Sequence, residues 1–269
     1  NPHRVEDAFY MENHANLLLT LERELMRESD GIHAISHAIV DSIEHTYDFE
    51  FDSDKVKIIP LGLDDWTKLD FELPAPIPDD FVRICFVGRL EPRKGADVFL
   101  SLVPYLLDKY NNIHIDIIGN DRIQLAGGAT FRSSFESDHA EYAQNSRLSI
   151  HGEVAEDKLR GFYQAADLIV APSRYESFGL VHLEGLIFGK PVVGCRIGGM
   201  KEVIEDGVTG LLAEPGDPKS LLECLERLIN DEQLRAVLGK NARSSYSNKF
   251  TARQMAKRLI ESIGKTTSC

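Results

Sequence analysis

Six short apolar runs recur between residues 82 and 213, and helix-patterned stretches separate most of them. The runs are 82–87, 113–118, 148–151, 168–171, 191–195 and 210–213. Stretches 95–110, 156–165, 180–188 and 200–205 between them carry helix-spaced apolar residues. Consecutive strands joined through a helix pair in parallel, because each return needs a long crossover. The alternation predicts an α/β fold, a Rossmann-like open parallel sheet with helices on both faces. Ligands of such sheets bind beyond the carboxyl ends of the strands. Three further helices are predicted at 218–230, 231–246 and 252–263.

The chain before residue 60 reads differently. Leu17, Leu18, Leu21 and Leu25 give stretch 5–29 one helix-spaced apolar face. A short strand at 31–36, a helix at 37–47 and a strand at 55–60 follow. Pro74, Pro76 and Pro78 mark a linker. Residues 120–146 are polar and fit the alternation poorly; they read as a loop with one short helix. The chain opens on Asn1-Pro2 without an initiator methionine, so it is expected to be a piece of a longer protein.

A net charge of −13 argues against a nucleic-acid partner, which needs a basic field. No apolar run reaches the length of a membrane span, and no secretory signal is visible. Cys85, Cys195, Cys224 and Cys269 are too widely spaced for a zinc or redox motif. Cys85 and Cys195 lie in apolar runs and read as small buried hydrophobes, and a reducing compartment is the simpler expectation. Asp52-Ser-Asp54 spells a metal-binding pattern but stands in an acidic loop. The histidines show no ligand spacing, so no metal is expected.

Three segments carry chemistry. In the first, Gly88 ends a strand, and Arg89, Arg93 and Lys94 precede a helix after Gly95. Cations beside a helix start suit a diphosphate. The segment is neither a Walker loop nor a dinucleotide fingerprint. In the second, Glu176 and Glu184 stand eight positions apart, around Ser177-Phe178-Gly179-Leu180. Glu176 is expected in the loop before a helix and Glu184 about one turn inside it. On a helical projection Glu184 falls in the apolar sector, where a charge needs a partner; a ligand hydroxyl is one candidate. The backbone N–H groups of Phe178, Gly179 and Leu180 lie at a helix start and could meet phosphate. In the third, Gly198-Gly199 turns a strand into a helix. His151 and His182 lie nearby and read as packing or surface residues.

The order and spacing of these pieces resemble a known family. They are Gly88-Arg89-Leu90 with Lys94-Gly95, Pro172-Ser173, Glu176-x7-Glu184, Gly189-Lys-Pro-Val-Val193, Gly198-Gly-Met-Lys-Glu-Val-Ile204 and Gly207-Val-Thr-Gly-Leu-Leu212. Together they resemble the donor-binding domain of GT-B glycosyltransferases of the retaining GT4 family, over about residues 56–265. The resemblance implies a hexosyltransferase-type enzyme moving a sugar from a nucleotide-diphosphate sugar to a glycan or lipid-linked acceptor, with retention. Glu176, Arg89 and Lys94 would be the catalytic set. Arg89 and Lys94 would hold the diphosphate, and Glu176 the donor sugar. Glu184 would bind the ribose. Ser177, Phe178, Gly179, Leu180, Gly88, Val154 and Gly199 would complete the donor site. The donor is expected to be a UDP-, GDP- or ADP-sugar, with no metal and no further cofactor.

The resemblance also implies boundaries: 1–62 a partial second Rossmann-like domain, the end of an N-terminal acceptor domain, 63–80 a linker, 81–247 the donor domain and 248–269 a returning C-terminal helix. The rest of the acceptor domain would be a missing partner, leaving this fragment inactive alone. A cytoplasmic setting at the inner membrane face, in polysaccharide assembly, is expected by analogy. Leu61 stands where the family has a hinge asparagine, and the second glycine after Gly119 is absent. Two other readings stay open: a GT-B-like nucleotide-sugar epimerase, and a non-catalytic nucleotide-sugar-binding module.

Overall fold

A computed structural model describes residues 2–125 and 127–266, with side chains placed for 15–125 and 127–263. Cys269 lies outside the described residues. The chain divides into two compact units: residues 61–255, and a smaller one formed by the chain up to Pro60 and from Ala256 onward.

The smaller unit contains α1 (Pro2–Glu28), β1 (Ile32–Ala34), α2 (His37–Tyr47) and β2 (Val56–Ile58). β1 and β2 pair in parallel, Ile32 beside Val56, with α2 as the crossover. The Ser36 hydroxyl starts α2 by accepting the Ile39 N–H at 3.0 Å. Leu17, Leu18, Leu21 and Leu25 are exposed, so no described residue covers the apolar stripe expected on α1.

The larger unit runs β3 (Val82–Val87), α3 (Ala96–Lys109), β4 (Ile113–Ile118), α4 (Phe131–Asp138), α5 (Ala140–Ala143), β5 (Leu148–Gly152), α6 (Glu156–Ala165), β6 (Leu168–Val170), α7 (Leu180–Ile187), β7 (Val192–Cys195), α8 (Met200–Val203), β8 (Gly210–Ala213), α9 (Pro218–Asn230) and α10 (Glu232–Lys249). A last helix, α11 (Ala252–Thr266), follows. The sheet order is β5-β4-β3-β6-β7-β8, with every pair parallel. The expected α/β architecture is therefore present.

Strand alternation assigns the two faces. Ile84, Phe86, Ile115, Val170, Val193 and Leu211 join α3 and α9 in the main core, where the Phe86 and Phe99 rings stack at 5.0 Å. The opposite face carries α6 and α7. Gly185 of α7 lies against Val192 and Ile169, where a Cβ would come within 2.4 Å of Val192. The strand order reverses between β3 and β6, so the loops after these two strands flank the switch point where such sheets bind ligands.

The second face is polar near β4 and β5. Arg83, His114, Asp116, Ser149 and His151 line a cavity of about 510 Å³, together with 74–78 of the linker. Arg83 and Asp116 are buried and pair at 3.4 Å. His151 Nε2 meets Asp116 at 2.7 Å. Burial alone would raise the Asp116 pKa, but the two imidazoles and Arg83 outweigh it and bring it down to about 2.

Residues 120–146 differ from expectation. They hold two helices, α4 and α5, where one was expected. Thr130 and Ser133 form a reciprocal capping box at the start of α4, and Phe135 is buried in the main core. Tertiary packing of Phe135 and the cap make a helix from a stretch with little apolar periodicity.

Candidate functional site

The loops at the switch point are held together by close backbone approaches. Gly95, at φ 69°, sits against Pro172, where a Cβ would come within 2.2 Å of the carbonyl oxygen. Gly199 lies so close to the 176–178 backbone that a Cβ would stand 2.3 Å from the Ser177 carbonyl oxygen. Its N–H donates to Glu176 O at 2.8 Å. The loops after β3, β6 and β7 thus converge on Glu176, and any side chain at Gly95 or Gly199 would separate them.

Lys94 ends a short 3-10 turn, Pro92–Lys94. Its ammonium donates to Glu176 Oε1, with both side chains only 17% exposed. Ser173 Oγ donates to the same oxygen at 2.8 Å. Arg93 Nη1 lies 3.7 Å from Glu176 Oε2. Burial tends to raise the Glu176 pKa, but Lys94 and Ser173 overcome it and hold the carboxyl below its ordinary value. Arg89 does not join this cluster. It is half exposed and pairs with Glu91 at 2.9 Å, which also holds Arg93 at 3.2 Å.

Gly179, at φ 100°, starts α7 without a side-chain cap. No described residue accepts a hydrogen bond from the backbone N–H of Phe178, Gly179 or Leu180. Helix starts carry partial positive charge, so these free donors form an anion-favouring edge. The Phe178 ring points elsewhere and packs edge-on against Phe250. His182 is buried; its Nε2–H donates to Ala171 O at 2.9 Å, tying α7 to the end of β6. Burial lowers its pKa, so it stays neutral.

Glu184, in the middle of α7, receives a hydrogen bond from the Tyr163 hydroxyl at 2.5 Å. Burial raises its pKa. The two carboxylates are therefore pushed in opposite directions. Glu176 stays ionised beside Lys94, while Glu184 is easier to protonate. Gly88 closes β3 with its N–H on Ile118 O at 2.9 Å. Val154 lies in the turn between β5 and α6. Beside that turn, Asp121, Arg122, Arg132, His151 and Glu153 line a hollow of about 410 Å³.

Sequence reasoning missed two members of this group. Tyr163 read only as a residue of a predicted helix, although the unpartnered charge at Glu184 called for a nearby donor. Arg93 was noted as a loop cation without a role. Arg89, which the resemblance sets beside Lys94 at a diphosphate, has its guanidinium on Glu91, two residues away.

The parallel, doubly wound sheet matches the fold of GT-B glycosyltransferase structures. Residues 71–245 match Glycosyl transferases group 1, and the chain belongs to that family. It is 29% identical over 221 residues to an uncharacterized glycosyltransferase of Methanocaldococcus jannaschii, covering 79% of this chain and 54% of that protein. It is 28% identical over 265 residues to the D-inositol 3-phosphate glycosyltransferase of Xylanimonas cellulosilytica, covering 91% of this chain and 59% of that one. The chain thus spans little more than half the length of these relatives. Among solved structures, sucrose-phosphate synthase from Thermosynechococcus elongatus superposes with a TM-score of 0.75 at 24% identity, covering 93% of this chain and 61% of that one. HepE of Anabaena, in complex with UDP and glucose, superposes with a TM-score of 0.71 at 22% identity, over 89% and 64% of the two chains. At these identities the likeness is one of fold.

Proposed function

We propose that this chain is the donor-binding part of a retaining GT4-type glycosyltransferase that uses a nucleotide-diphosphate sugar. The observation that carries the reading is the Lys94–Glu176 pair, set beside the uncapped start of α7. A diphosphate placed there meets Lys94, the half-exposed Arg89 side chain and the free N–H groups of Phe178, Gly179 and Leu180. Glu176 then turns to the hydroxyls of the donor sugar, and Glu184 accepts from the ribose. Gly88, Ser177, Val154 and Gly199 shape the pocket walls.

In the transfer step the bond between the sugar's anomeric carbon and the phosphate oxygen breaks, and its electron pair leaves with the nucleotide. The acceptor oxygen bonds to the anomeric carbon, and its proton passes to the departing phosphate oxygen. Fixed positive charge at the departing phosphate stabilises that transition state. Two cations and a helix start supply the charge, so the proposal needs no metal. Retention, and a glycan or lipid-linked acceptor, follow from the family resemblance. The acceptor would be met by the remaining length that the relatives possess.

Thermal melts with UDP, GDP and ADP test the reading and identify the base. At least one nucleotide is expected to raise the melting temperature, and Lys94→Ala to abolish the rise. No shift from any of the three would refute it. Adding the N-terminal half of a relative and assaying transfer separates an enzyme from a binding module.

A further inference from the structure

We infer that Tyr163 is a positioning residue for ribose. Its hydroxyl fixes one oxygen of Glu184 so that the other meets the nucleotide's cis-diol, and the site selects ribonucleotides through that bond. The inference rests on the donor reading above.

The two residues stand on neighbouring helices, Tyr163 on α6 and Glu184 on α7. The Tyr163 ring is fully buried and stacks on Phe188 at 5.7 Å with a 10° interplanar angle. Phe188 is held in turn by Phe71, edge-on at 6.5 Å. A ring clamped in this way cannot swing, so its hydroxyl marks a fixed point. Burial, with the Glu184 charge beside it, pushes the Tyr163 pKa well above its ordinary value. The phenol therefore stays protonated and donates, and Glu184 must accept.

Tyr163 is the hydrogen-bond partner of the Glu184 side chain among the described residues, and it takes Oε2. Oε1 has no described protein partner. A carboxylate anchored through one oxygen presents the other in a defined direction, and loses less rotamer freedom when a ligand arrives. A carboxylate accepts but does not donate, so a pair of adjacent sugar hydroxyls is its natural complement. Lys94, from the loop after β3, and Glu156, from α6, are the other charges acting on Glu184, with opposite signs.

The test is calorimetric titration of wild type and Tyr163→Phe with UDP, GDP and ADP, each paired with its 2′,3′-dideoxy form. Wild type is expected to favour the ribose form by about tenfold or more for the base it binds. In Tyr163→Phe the preference is expected to fall below about threefold, with dideoxy affinity as in wild type. An unchanged preference in the variant would overturn the inference. So would an equal loss of ribose and dideoxy binding, which marks a merely structural residue. Wild type that binds nucleotides without any ribose preference would remove the Glu184 assignment and this inference together, leaving the diphosphate reading standing. No binding at all would remove the donor reading as well. Should the phenylalanine variant unfold, 3-fluorotyrosine at position 163 keeps the ring and strengthens the donor. The ribose preference is then expected to persist to lower pH than in wild type, and an unmoved pH profile would overturn the inference.

Discussion

Glu176→Gln separates two roles that the ion pair combines. Lys94 is paired with Glu176. A nucleoside diphosphate that lacks a sugar must draw Lys94 away, leaving a mostly buried carboxylate with Ser173 at 2.8 Å and Arg93 at 3.7 Å. A hydrogen bond to a charged group contributes about 1.5–3 kcal/mol. Some exposure remains on both side chains, which favours the lower end of that range. About 1.4 kcal/mol is a factor of ten in affinity. Glutamine removes the competing charge, so Glu176→Gln is expected to bind a nucleoside diphosphate about tenfold more tightly. The matching nucleotide sugar is expected to gain less, because the sugar hydroxyls lose their charged acceptor. Parallel calorimetric titrations of both proteins, at one salt concentration, provide the assay. The Glu176 pKa is lowered in the folded protein, so the ion pair's contribution is present above the ordinary carboxylate range and lost as pH falls through the folded pKa. Work near pH 7 therefore compares fully paired wild type with the variant. A folded variant whose nucleoside diphosphate affinity is unchanged or weaker would refute the competition.

Lys94→Ala and Arg89→Ala are expected to behave differently in thermal melts. The first loses most nucleotide stabilisation, whereas the second leaves unliganded stability within about 0.5 kcal/mol, because Arg89 makes only an exposed pair. Asp116→Asn is expected to cost about 3–5 kcal/mol in denaturant unfolding, since it strands the buried Arg83 charge. In wild type the Asp116 pKa is depressed to about 2, so its contribution is complete above the unfolded value near 4. Roughly 2 kcal/mol of stability is then lost between about pH 4 and pH 2, and an acid titration followed by circular dichroism reads this limb. Gly199→Ala places a Cβ 2.3 Å from the Ser177 carbonyl oxygen. It is expected to abolish nucleotide stabilisation in melts while the sheet, read by circular dichroism, stays folded.

How far the sequence could be read depended on whether a residue's environment is set locally. The strand at Ile113-His-Ile-Asp-Ile-Ile118 shows both of its faces in its alternation, and β4 occupies those residues. Phe131-Arg-Ser-Ser-Phe-Glu-Ser-Asp138 gave little sign of a helix, because its stability comes from Phe135 entering a core built by distant strands. The site divides along the same line. Spacing placed Glu176 in a loop and Glu184 on an apolar helix face, and both positions are seen. Their partners are set by the fold. Lys94 reaches Glu176 across 82 residues of chain. Glu184, which sequence reasoning left seeking a hydroxyl, is answered by a protein hydroxyl 21 residues upstream. A charge on an apolar face is thus legible as a demand for a partner, but the sheet order decides which helix supplies it. α6 crosses from β5, at the sheet edge, to β6 in its middle, and α7 links β6 to β7. That order sets the two helices side by side on one face. The second carboxylate is thereby held by the helix that follows the β5 loop, the loop whose Val154 is proposed to line the same pocket.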